Sequence, residues 1–185
     1  MIIGLIAAAE AGFWVVLAAG LAVRYLLRSE RASRVLLYSL PLIDILLLAA
    51  TAIDLRRGAE PSGEHGLAAL YLGFTVAYGH TVIAWADARF AHRFAGGPPP
   101  PRPPEYGAAR ARYEGRLWLL TLGAVAMSLL VLEGLIRFAA EPAGGGAEVL
   151  RGWQVRALTV LAVHGVIALS YALFPKRAPS AGKVP

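Results

Sequence analysis

The chain has 185 residues, 57% of them hydrophobic and 16% charged, with 18 Lys and Arg against 12 Asp and Glu. Soluble domains run about 45–50% apolar and about 25% charged, so an ordinary soluble enzyme and a disordered chain are both excluded. The lack of cysteine excludes disulfides and thiolate chemistry, and the +6 net charge lies in loops beside apolar runs, which points to a bilayer partner and not to nucleic acid.

A membrane-crossing helix needs about 20 mostly apolar residues. Residues 2–23, 35–53, 67–86, 117–136 and 157–174 meet that requirement. None alternates with the period of a barrel strand, and a backbone in lipid must satisfy its own hydrogen bonds, so all five are predicted as helices. The expected fold is an all-α membrane bundle of five helices, one domain over residues 1–174, with a disordered tail at 175–185. The first span has no cation ahead of it, unlike a secretory signal. Its cations follow, at Arg24, Arg28, Arg31 and Arg34, as in an uncleaved anchor. On this span Gly4, Ala8 and Gly12 form a ridge of small residues. In the second span Pro41 precedes Asp44, and a proline there predicts a kink beside the acid. In the third, Gly73, Ala77, His80, Ala84 and Asp87 share one face, which predicts close packing with His80 on the packed side. That span runs on as DARFAHRF, whose Arg89, His92 and Arg93 suit an anionic membrane surface.

Residues 96–107, GGPPPPRPPEYG, predict a stiff polyproline II spacer; a PxxP ligand for a cytoplasmic partner is the alternative. In the fourth span Glu133 and Arg137 are spaced to pair along the helix. Trp85, Trp118 and Trp153 fall at predicted span ends, where indoles favour the interface, while Trp14 packs inside the bundle or faces lipid. Thirteen Lys and Arg lie in the first loop, the third loop and the tail, against five at Arg56, Arg57, Arg137, Arg151 and Arg156. The positive-inside rule then predicts an N-out, C-in topology. The two remaining loops hold Asp54, Glu60, Glu64, His65, Glu141 and Glu148, whose spacing matches no metal motif, so no metal is expected.

Each span carries one ionisable residue: Glu10, Asp44, His80, Glu133 and His164. A charge at mid-bilayer costs roughly 2.5–3.5 kcal/mol, so such groups pair, face the interior or stay neutral. Asp44, His80, Glu10 and His164 are the candidate ligand- or proton-binding residues, with Asp44 and His80 expected to pair. Ser39, Thr51, Ser128 and Ser170 lie in no nucleophile-elbow context, and a non-enzymatic role is expected. The leading function is a membrane protein that binds a small ligand, an ion or protons, as a transporter subunit or accessory protein. Five short helices rarely enclose a wide pathway, so transport would require a homo-oligomer. A scaffold that holds a cytoplasmic partner through the Pro-rich loop is the alternative. A third reading is a haem b protein with His80 and His164 as axial ligands, since both adjoin glycine.

The stretches GFWVVLAAGLAVRYLL, PLIDILLLAATAIDLRRG, HGLAALYLGFTVAYGHTVIAWADARFAHRFAGGPP, and PPEYG followed by ARYEGRLW resemble a family of small uncharacterised bacterial integral membrane proteins. The resemblance covers about the first two thirds of the chain and includes Asp44, Asp54, His65, His80 and Asp87. It implies a multi-pass protein of the bacterial cytoplasmic membrane and transfers no activity to any residue.

Overall fold

A computed structural model describes residues 2–140 and 147–176. Among them all regular secondary structure is helical, in the order α1 (Ile2–Tyr25), α2 (Glu30–Tyr38), α3 (Leu40–Arg56), α4 (Gly63–Phe94), α5 (Gly107–Leu135) and α6 (Glu148–Leu173). A π-helical turn, Ile136–Ala140, extends α5. Five segments are long and apolar enough to cross a bilayer: α1, α2 with α3, α4, α5 with its π turn, and α6. Glu141, with the rest of 141–146, and the tail from Arg177 lie outside the described residues.

The helices are longer than the hydropathy runs because polar ends continue the same hydrogen-bond ladder. α4 is the clearest case. Its 32 residues span about 48 Å, well beyond a hydrocarbon core of about 30 Å, so its ends reach into the headgroups. The second span differs from expectation. Pro41 does not kink a continuous helix; the chain ends α2 at Tyr38 and restarts at Leu40, with proline in the first turn of α3. That is where a missing N–H is harmless. Between α1 and α2, Arg28 adopts the left-handed conformation (φ 53°) that reverses the chain.

α4 is the central helix and touches α1, α3, α5 and α6. Small residues set how close these contacts are. Gly73 meets Ser128 and the backbone of Ala124 on α5. Gly66 lies under the Trp153 ring of α6, Gly165 of α6 under Trp118 of α5, and Gly20 of α1 against Leu37 of α2. α3 buries one heptad-spaced stripe: Leu40, Asp44, Leu47, Thr51 and Leu55. Its other sides, with Leu42, Ile45 and Leu46, are exposed, as are Val155, Val163 and Val166 of α6. In a bilayer such surface meets lipid tails.

Cross-helix polar contacts mark the two ends of the bundle. At the basic end, Asp87 of α4 accepts from Tyr25 (2.9 Å) and pairs with Arg24 (3.2 Å), and the N–H of Gly107 donates to the carbonyl of Lys176. At the opposite end, Arg56 of α3 donates to the carbonyl of Phe138 (2.9 Å) in the π turn. Two of the three interfacial tryptophans serve packing instead. Trp118 lies inside α5, which begins at Gly107 and not at residue 117, and its indole donates to the carbonyl of Leu161 (3.3 Å). Trp153 covers Gly66. Trp85 and Trp14 are about half exposed, at 51% and 47%.

Candidate functional site

Of the four residues singled out from the sequence, Asp44, His80 and His164 do not converge. Asp44 is 2% exposed, and neither carboxylate oxygen has a hydrogen-bond partner. It sits on the buried stripe of α3 between two apolar layers. Leu40 on one side packs with Phe13, Leu17 and Ala86, and Leu47 on the other with Ala9 and Ala68. The expected Asp44–His80 pair is therefore not formed. His80 is exposed on α4. The small-residue face that carries it is closed near Gly73 by α5 and near Asp87 by α1, and is open between them. The side chain of Glu10 lies outside the described residues.

His164 is the one that enters a network. Its Nδ1 lies 2.7 Å from the Thr121 hydroxyl of α5, which lies 2.6 Å from the Tyr78 hydroxyl of α4. The carbonyl of Leu117 is within reach of both hydroxyls, at 3.0 Å from Tyr78 and 3.2 Å from Thr121. Three helices are thus joined mid-span by one polar string. Phe74 stacks on the Tyr78 ring, with planes 8° apart, and holds it in place. Phe74, Tyr78, Thr121 and His164, with Thr159, Val160, Val163 and Ile167, line a groove of about 460 Å³ between α4, α5 and α6, and the Thr159 hydroxyl is turned to the carbonyl of Val155 on its own helix. His164 Nε2 has no hydrogen-bond partner among the described residues, so the string ends at the groove.

Among the arrangements of hydrogens that satisfy this string, two leave Nε2 in opposite roles. In one, Tyr78 donates to Leu117, Thr121 to Tyr78, and His164 Nδ1–H to Thr121, which leaves Nε2 as an acceptor. In the other, Tyr78 donates to Thr121 and Thr121 to Nδ1, which makes Nε2–H a donor. An apolar groove with one such switchable group suits a small, mostly apolar molecule with a single polar function. The geometry does not favour bis-histidine haem ligation. Tyr78 and His80 are two residues apart on α4, about 200° around the helix, so His80 points away from the side on which His164 is held.

Most of the other polar groups are engaged structurally, although the hydroxyls of Ser33 and Ser128 and the indole N–H of Trp153 are buried without a hydrogen-bond partner among the described residues. His65 is 3% exposed; its Nδ1 meets the Ser62 hydroxyl (2.8 Å) and accepts from the Ser62 N–H (3.2 Å), and its Nε2 lies 3.1 Å from Asp54. This Ser–His–Asp string is a capping box that closes the N-terminus of α4 and ties it to the end of α3. Both ring nitrogens are used, so His65 offers no free metal ligand. Glu133 pairs with Arg137 (2.5 Å), as its spacing predicts, and also accepts from Gln154 of α6 (3.2 Å). Ser39, Thr51 and Ser170 bond to carbonyls of their own helices, as hydroxyls in lipid-embedded helices commonly do. Tyr78 and Thr121 were not legible as site residues. Their only sequence signal is a hydroxyl within an apolar run.

No family model and no solved structure matches the chain. It is 35% identical to the uncharacterized membrane protein YmcC of Bacillus subtilis (strain 168) over 172 residues, which cover 91% of this chain and 89% of the relative. The likeness thus runs past the first two thirds and takes in nearly the whole bundle. With five apolar helices of spanning length and a relative of this extent, the chain belongs to the family of integral membrane proteins that includes YmcC.

Proposed function

We propose that this protein binds a small, mostly apolar ligand, or protons, within the bilayer, as a transporter subunit or accessory protein of the bacterial cytoplasmic membrane. The observation that carries the reading is the Tyr78–Thr121–His164 string, which leaves His164 Nε2 without a partner among the described residues in a largely apolar groove. Intramembrane polar groups are costly to hold in lipid, and a network that leads to an open groove is where that cost serves binding. Val160, Val163 and Ile167 of its wall are exposed in the apolar part of α6, which favours entry of the ligand from the membrane.

The test is native mass spectrometry of gently solubilised protein. The wild type is expected to retain a small molecule that His164→Leu loses; identical spectra overturn the reading. Thr121→Val removes the middle of the string and strands both Tyr78 and His164. It is expected to lower stability by about 1–3 kcal/mol in detergent. Combined with His164→Leu, the loss is expected to be smaller than the two single losses added.

The orientation is part of the same reading. The cation bias puts the α3–α4 turn outside and the Pro-rich loop inside. Glu60 and Ala108 are both exposed, and the native chain has no cysteine to give background. An impermeant maleimide on intact cells is expected to label Glu60→Cys and not Ala108→Cys. The reverse pattern overturns the topology.

A further inference from the structure

A second cavity lies where α4 leaves the apolar layer, about 400 Å³ in volume. Ala84, Trp85, Ala88 and Arg89 of α4 form one wall, and Tyr113 of α5 also lines it. The other wall is the Pro-rich segment, which folds back on the helices over Pro100–Pro104 and brings Arg102 to the rim. The Arg89 guanidinium lies over the Trp85 ring at 3.9 Å. Neither Arg89 nor Arg102 has a carboxylate partner among the described residues. The nearest acid in sequence on α4, Asp87, is taken by Arg24 and Tyr25.

We propose that this cavity is a binding site for the headgroup of an anionic phospholipid, its phosphate held between Arg89 and Arg102 and its acyl chain laid along Ala84 and Ala88. Three features favour a lipid. An indole marks the interface level, and two guanidiniums without a carboxylate among the described residues offer forked donors that match phosphate oxygens. The floor toward the bundle is apolar, as an acyl chain requires and a free ion does not. The prolines add preorganisation. Their fixed φ holds the wall and Arg102 in position, so little chain entropy is lost on binding. The spacer read from the sequence is thus the second wall of a site.

The experiment uses the full-length protein, delipidated in a neutral detergent and then offered one of three probes: phosphatidylglycerol, phosphatidylcholine or inorganic phosphate. Retained lipid is counted by native mass spectrometry, and thermal unfolding is followed in parallel. Phosphatidylglycerol is expected to bind about tenfold more tightly than phosphatidylcholine and to raise the unfolding temperature. Inorganic phosphate is expected to do neither; an equal effect of phosphate overturns the lipid as occupant. Arg89→Gln with Arg102→Gln is expected to abolish the preference. Arg102→Gln alone, in an exposed loop where folding is not at risk, is expected to reduce it. Arg31→Gln with Arg34→Gln, on α2 at the same basic end, is expected to leave it intact. Equal losses from the two paired variants would show a diffuse surface charge effect and overturn the site.

Discussion

Gly73→Leu is expected to prevent the folded bundle from accumulating in the membrane, and Gly73→Ala to cost about 1–3 kcal/mol or more. A β-carbon at Gly73 would lie 2.1 Å from the Ser128 hydroxyl, 2.5 Å from the carbonyl oxygen of Ala124 and 2.9 Å from the Ser128 nitrogen. A hydroxyl can rotate away, but a backbone carbonyl and amide can yield only if α5 itself moves. Movement of α5 would open the α4–α5 contact and displace Thr121, two turns of helix from Ser128, from Tyr78. Gly79→Ala is the control, because a β-carbon there meets nothing within 4 Å. It is expected to be neutral or slightly stabilising through helix propensity. Expression in membranes and thermal unfolding in detergent distinguish the cases. A tolerated Gly73→Leu would show that α4 and α5 are not in contact at this level.

Asp44→Val is expected to act in the opposite direction and raise thermal stability. The carboxyl is buried, both oxygens lack partners, and apolar layers lie on either side along α3. A buried polar group without a partner costs about 1–3 kcal/mol, which an apolar side chain of modest size removes. Asp44→Asn keeps the unsatisfied polarity and is expected to gain little. The same unfolding measurement reads both variants. A fall in stability for Asp44→Val would show that the carboxyl has a partner in the membrane-embedded protein. A gain in stability with loss of ligand retention would mark Asp44 as a group kept at the expense of stability, the signature of a functional residue.

The candidate site was legible only in part. His164 drew attention because an imidazole in an apolar run is costly and must be accounted for. Tyr78 and Thr121 escaped because uncharged hydroxyls are cheap in a helix, where they can bond to their own backbone. Thr51 and Ser170 do just that, and nothing local separates them from Thr121. His80 misled for the complementary reason. Its small-residue face does pack, but only at the Gly73 and Asp87 levels, and the axis of α4 passes between neighbours where His80 stands.

Hydropathy by itself determined that this is a membrane protein, that its spans number five and that they are helices. Those features depend on the transfer energy of about 20 side chains at a time and on the need to satisfy every backbone group in lipid, and both can be summed along the chain. The Glu133–Arg137 pair was equally local, since helical spacing alone brings the two together. Tertiary structure decided the rest: that Asp44 stands alone, that His164 meets Thr121 and Tyr78, and that the prolines wall a cavity. Lipid surrounds a span with tails as apolar as its own side chains, so hydrophobicity exerts little force on its rotation. The rotation follows from where small residues let another helix come close, and Gly66, Gly73 and Gly165 have their partners far away in the sequence.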